Sequence, residues 1–189
     1  MARECAAVRI HVTPLSQLDA TLEATRARRM ITLLSVDSVF TRPAAIAESE
    51  LLHLSMHDIA EPRDGFVAPS EDHVRAILDF GRNWDRGAPL VIHCFAGISR
   101  STAAAYVIAA ALRPDLDEAQ LAHELRRRAP SATPNPLIVA HADRLLSRGG
   151  RMIEAIAAIG RGAEAYEGTP FFIDLAVPDA ASMEGRPSR

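Results

Sequence analysis

Apolar positions along this chain follow two patterns. Ala7–Val12 and Leu51–Met56 are short apolar runs and predict strands, the second with partial alternation. Met30–Val36 and Pro89–Ile92 are continuous apolar runs, as in strands covered on both faces. Helical spacing fills the gaps. Pro14 and Ser16 open a predicted helix over about 15–28, with Leu15, Leu18 and Leu22 on one face. A short helical stretch is expected near 44–48. Pro69 and Ser70 open another helix, to about 85, that turns Val74, Ile77, Leu78 and Trp84 inward. The alanine-rich run Thr102–Leu112 predicts a buried helix. Three more are expected over about 115–128, 136–148 and 151–159, the last two separated by Gly149-Gly150.

Strands alternating with helices predict an α/β fold. Its sheet is expected to be central, twisted and mostly parallel, with about four to five strands flanked by helices. Such sheets bind ligands beyond the carboxyl ends of their strands. Residues 1–160 are expected to form one domain, and 161–189 a partly flexible C-terminal extension. Within the extension Thr169–Val177 is apolar, suited either to packing on the domain or to joining two copies in a homodimer. Residues 183–189 are polar, and disorder is expected there.

Composition narrows the function. The 189 residues are 48% hydrophobic, enough for a core, and the net charge of −3 argues against general nucleic-acid binding. Neither a run of membrane-spanning length nor a signal-peptide core is visible, so no membrane partner is expected. The two cysteines, Cys5 and Cys94, build neither a disulfide framework nor a zinc site. No metal and no cofactor is therefore expected, and a free thiol fits a reducing, cytoplasmic setting. Cys5 has no chemical context. Arg126-Arg127-Arg128, in the last turn of its helix, reads as a solvated helix end more readily than as a basic rim.

The chemistry concentrates in His93-Cys94-Phe95-Ala96-Gly97-Ile98-Ser99-Arg100-Ser101. A strand ends at this run and a helix begins after it. A helix N-terminus offers unpaired N–H groups and partial positive charge, and a short loop feeding it wraps further amides around one point. Gly97 suits the tight middle of such a loop. Arg100 adds a planar charged fork that holds two oxygens of a phosphate. The same field favours thiolate over thiol at Cys94. The combination describes a sulfur nucleophile aimed at a tetrahedral anion, with a phosphocysteine intermediate. His93 is expected to position the loop and support the low thiol pKa rather than shuttle a proton, and the Ser101 hydroxyl to donate to the sulfur as phosphate leaves.

This run resembles the signature of the cysteine-dependent protein tyrosine phosphatases: His-Cys, five residues, Arg, then Ser or Thr. Its wording looks most like the dual-specificity branch, in a bacterial member, and the Ala- and Arg-rich, Lys-poor composition fits a GC-rich genome. The resemblance extends over about 30–146 and implies a phosphotyrosine protein phosphatase II-like fold. It implies that Phe95, Ala96, Gly97, Ile98, Ser99 and Arg100 bind phosphate, and that Cys94, Arg100 and Ser101 are catalytic. Asn135, in the Pro134-Asn135 pair, is implied as a brace of the phosphate loop. A carboxylic acid some thirty-odd residues before the cysteine should protonate the leaving group. Asp58, just past a strand end, is the first choice. Asp64, in an Asp-Gly turn, is the rival. His141 stands where family members often carry a glutamine. The loop has no cation besides Arg100, whereas relatives acting on inositol phosphates often carry lysines there. The resemblance thus implies a phosphorylated protein or small phosphomonoester as partner, phosphotyrosine first. A phosphoprotein-binding module with weak turnover is the alternative. Arsenate reductases and sulfurtransferases that share a Cys-x5-Arg cradle fit less well.

Overall fold

The computed structural model describes residues 8–176. Cys5, Ala7 and the expected disorder over 183–189 lie outside them. Five strands form one sheet: β1 (Arg9–Pro14), β2 (Arg29–Leu34), β3 (Leu51–Ser55), β4 (Leu90–Cys94) and β5 (Phe171–Asp174), in the order β3-β2-β4-β1-β5. Four strands are parallel, and β5 runs antiparallel to β1. The α/β fold with a mostly parallel, five-stranded sheet matches the expectation. Parallel strands need crossover connections: α1 (Leu18–Thr25) lies between β1 and β2 and α2 (Glu71–Arg82) between β3 and β4, β2 reaches β3 without an α-helix, and α3 (Arg100–Leu112), α4 (Glu118–Arg128), α5 (Pro136–Leu145) and α6 (Arg151–Ile159) lie between β4 and β5.

The sheet is covered on both faces. Met30 and Val91 meet Leu18 and Leu22 of α1, together with Ala27 and Ile46. Ile10, Val12, Ile31, Leu33, Leu90 and Ile92 join the larger core with α2–α6. At its centre is α3, buried from Arg100 to Ala110. Its alanines permit close approach, and α2 matches them with Gly81, where a Cβ would stand 2.9 Å from Ile108. Burying so many apolar side chains around one helix places a rigid support behind the loop that precedes it.

Several boundaries differ from expectation. No α-helix forms near 44–48. Pro43 starts a turn closed by the Ile46 N–H (3.0 Å), and Arg42 also caps the Ile46 carbonyl. A 3-10 turn follows at Glu48–Glu50. The segment is too short to repay helix nucleation, and Ile46 enters the core instead. A 3-10 turn at Leu15–Gln17 precedes α1, which stops at Thr25 because Arg26 adopts the left-handed region (φ 54°). Ser147 (φ 53°) similarly ends the chain's helical run after α5.

Within the C-terminal segment, β5 pairs with β1 of the chain's own sheet. Phe171 and Ile173 turn inward while Phe172 and Asp174 face out, and Asp174 pairs with Arg9 at 3.3 Å. Helix α2 has a capping box in which Ser70 Oγ accepts the His73 N–H and His73 Nδ1 accepts the Ser70 N–H.

Candidate active site

Strands β1, β2, β3 and β4 bring their carboxyl ends to one edge of the sheet. Cys94 is the last residue of β4, and Arg100 opens α3. The five residues between them wrap into a loop whose carbonyls face away from its centre. Phe95 O accepts Leu15 N–H (3.0 Å), Ala96 O accepts Gly168 N–H (2.8 Å) and Ile98 O accepts Thr133 N–H (2.9 Å). Ser99 O accepts N–H groups from Ala103 (3.0 Å) and Asn135 (3.3 Å). In a planar trans peptide the N–H points opposite to the C=O, so the amides that follow these carbonyls turn inward. The Gly97 N–H reaches Cys94 Sγ at 3.2 Å. Such a ring of amides is an anion-binding concavity.

Gly97 has φ +68°, and a Cβ there would lie 2.7 Å from Pro14 N. Both conformation and space require glycine. Ser101 Oγ lies 3.1 Å from Cys94 Sγ. Arg100 is almost fully buried. Its Nη1 donates to Met56 O at 2.7 Å and to Ser35 Oγ at 3.4 Å. Its Nε is buried and has no hydrogen-bond partner among the described residues. A buried donor without a partner is costly, and here it sits on the side chain that opens the helix behind the amide ring. Phe95 points outward and is 58% exposed.

Asp58 follows β3 on the same edge. Its Oδ1 accepts Ser99 Oγ–H (2.6 Å) and Asn135 Nδ2–H (2.9 Å), and its Oδ2 lies 3.8 Å from Arg100 Nε. Asn135 also caps α5, its Oδ1 accepting the Leu137 and Ile138 N–H groups, and donates to Ile59 O at 3.1 Å. The structure therefore brings Cys94, Arg100, Ser101, Ser99, Asp58 and Asn135 together. Asp64 is exposed and forms no side-chain hydrogen bond or ion pair among the described residues. His57 accepts the Val67 N–H on the same connection, and His141 meets Arg144 at 2.7 Å.

His93 is buried, and its Nε2 shares a 2.8 Å hydrogen bond with Thr32 Oγ1. Burial lowers its pKa to about 4, opposed by the Cys94 backbone and helped by His53 and Arg100. The imidazole is thus neutral at pH 7. Arg126 is not a rim residue: it binds the carbonyls of Ile159, Gly160 and Ala132. Arg127 and Arg128 pair with Glu124, which their hydrogen bonds hold at a pKa of about 2.

Sequence reasoning missed Thr32, Ser35, Met56 and Gly168. The first three lie at or near strand ends on the active edge, a position that carried a signal. Gly168 is far along the chain, and nothing local marked it as a neighbour of Ala96.

A strand, a loop of inward amides with a thiol at its base, and a helix opened by arginine define an α/β protein with a cysteine-based anion cradle. No protein-family model matches the sequence, and no curated protein matches it. Among solved structures the chain is similar to DUSP15, at 17% identity and TM-score 0.54, over 79% of this chain and 89% of that one. It is also similar to the PTP-2 phosphatase of Cydia pomonella, at 16% identity and TM-score 0.54, over 71% of this chain and 84% of that one. The fold is that of the dual-specificity and tyrosine phosphatases. Among the described residues no helix is long and apolar enough to cross a membrane.

Proposed function

We propose that this protein hydrolyses phosphate monoesters, phosphotyrosine in proteins foremost, through a phosphocysteine intermediate. One observation carries the reading: Cys94 Sγ lies under a loop of inward amides beside Ser101 Oγ, next to a buried arginine whose Nε makes no hydrogen bond among the described residues. The amide ring and Arg100 hold the three non-bridging oxygens and stabilise the charge they carry in the transition state. Cys94 sulfur attacks phosphorus, an S–P bond forms, and the bond from phosphorus to the leaving oxygen breaks. Asp58 gives that oxygen its proton from Oδ2, the oxygen not engaged by Ser99 and Asn135. Asp58 then takes a proton from water as it attacks phosphorus. The S–P bond breaks, and Ser101 donates to the departing sulfur. The exposed Phe95 offers an apolar wall to an aromatic leaving group.

The test is p-nitrophenyl phosphate turnover by wild type and Cys94→Ser. Activity in the wild type, lost by more than about a thousandfold in the variant, supports the enzyme. Inactivity of both proteins, with phosphopeptide binding retained, would replace it with a binding module.

A further inference from the structure

Beyond α6 the chain folds back across the 94–100 loop. Arg126 holds the turn at Ile159 and Gly160. The Gly162 N–H donates to Thr133 Oγ1 (3.0 Å), the Ala163 N–H to Pro130 O (2.9 Å) and the Gly168 N–H to Ala96 O (2.8 Å). The approach is close: a Cβ on Gly168 would stand 2.9 Å from Gly97 O. This clamp sets Tyr166 and Glu167 beside Phe95 and Ala96, one and two residues from the nucleophile. With Leu15 and Ser16 they line a cavity of about 240 Å³.

The lining is mostly apolar. Leu15, Phe95, Ala96 and Tyr166 supply carbon surface, and Tyr166 is 87% exposed. Among the polar lining groups Glu167 Oε2 accepts the Ser16 hydroxyl at 2.7 Å. Among the described residues Glu167 has no cationic partner. Its charge is therefore uncompensated beside two aromatic rings. A side chain with an apolar stem and a flat cationic head satisfies all of these surfaces at once. The stem covers Leu15 and Ala96, the head stacks on the aromatic rings, and its N–H groups meet the carboxylate. An ammonium group matches the charge but lacks the stacking plane.

We propose that this cavity takes an arginine side chain flanking the phosphoresidue of a protein substrate. The proposal rests on the phosphatase reading and names the substrate sequence that the same site prefers. The C-terminal segment is then the element that selects among phosphoproteins.

The experiment compares three phosphotyrosine peptides that differ only in the two residues flanking the phosphotyrosine: both Arg, both Ala or both Glu. The expected order of kcat/KM is Arg, Ala, Glu, with about tenfold between the extremes, the size given by one exposed ion pair and one cation–π contact. Glu167→Gln and Tyr166→Ala should each shrink that ratio to about threefold or less. The same peptides are titrated against Cys94→Ser by fluorescence anisotropy, which reads the cavity without chemistry. An Arg preference in binding with no wild-type turnover overturns the phosphatase and keeps the cavity. Turnover without Arg preference, or with a preference that Glu167→Gln leaves unchanged, overturns the cavity and keeps the phosphatase. Neither binding nor turnover overturns both.

Discussion

At Gly97 the loop packs against the end of β1, so a single methyl group tests the whole cradle. Gly97→Ala must place a Cβ 2.7 Å from Pro14 N in a left-handed conformation. The strain is expected to cost about 1–3 kcal/mol, read by urea unfolding. Activity should fall further, by about a hundredfold, because a displacement near 1 Å misaligns the sulfur. His93 gives a pH prediction. The unfolded imidazole takes up a proton near 6.5, but the folded one only near 4. The unfolded state thus binds more protons between those values. Stability from this group is complete above about pH 6.5 and is lost as pH falls to 4, by about 3 kcal/mol. The His93 ring resonance in NMR should not titrate until about pH 4, while urea unfolding weakens across the window. A His93 titrating near 6.5 would contradict its burial against Thr32.

On the scale of elements, the connection from β3 to α2 and the start of α5 meet at Asp58. If Asp58 is the acid, Asp58→Ala should slow phenyl phosphate much more than p-nitrophenyl phosphate, since only the poorer leaving group needs the proton. Asp64→Ala should treat both alike. Asn135→Ser keeps an α5 cap of similar quality but removes the donor to Asp58. Its stability should drop by about 1 kcal/mol, and it should reproduce part of the Asp58→Ala leaving-group dependence. A uniform effect on both esters would reduce Asn135 to a helix cap. Asp58 was a candidate from its place after a strand. That Asn135 reaches Asp58 at 2.9 Å across 77 positions was not readable in the sequence. The backbone N–H of Asn135 donates to Ser99 O, whereas its side chain reaches Asp58 and caps the helix.

For the molecule as a whole, the helical layer is tied by Glu118, which is buried and bound by Arg148 at 3.0 Å and Arg151 at 3.1 Å. The Glu118 carbonyl also accepts Tyr106 Oη–H from the central helix. Glu118→Gln leaves Arg148 without its charge partner. The expected cost is about 2 kcal/mol, below the usual range for a buried pair because Arg151 is half exposed. Thermal unfolding checks it, and kcat/KM on p-nitrophenyl phosphate should hold, since the pair lies outside the Cys94 site.

Local rules were enough for the elements around Cys94. A continuous apolar run, a loop containing glycine and an alanine-rich helix specify strand, cradle and helix within two dozen residues, because burial and helix periodicity act over short range. Cys94 and Arg100 became candidates on the same local grounds. Local rules misjudged the 44–48 turn and left β5 undecided, since four alternating residues bury too little to stand out from a loop. The partners of the cradle were beyond them altogether. Ser35, Met56, Thr133 and Gly168 contact the loop or Arg100 through groups that most residues possess, main-chain amides and carbonyls above all. Only the folded chain decides which of those groups arrive there, because hydrogen bonds between distant segments depend on how the sheet and its helices pack and leave no periodic trace in the sequence.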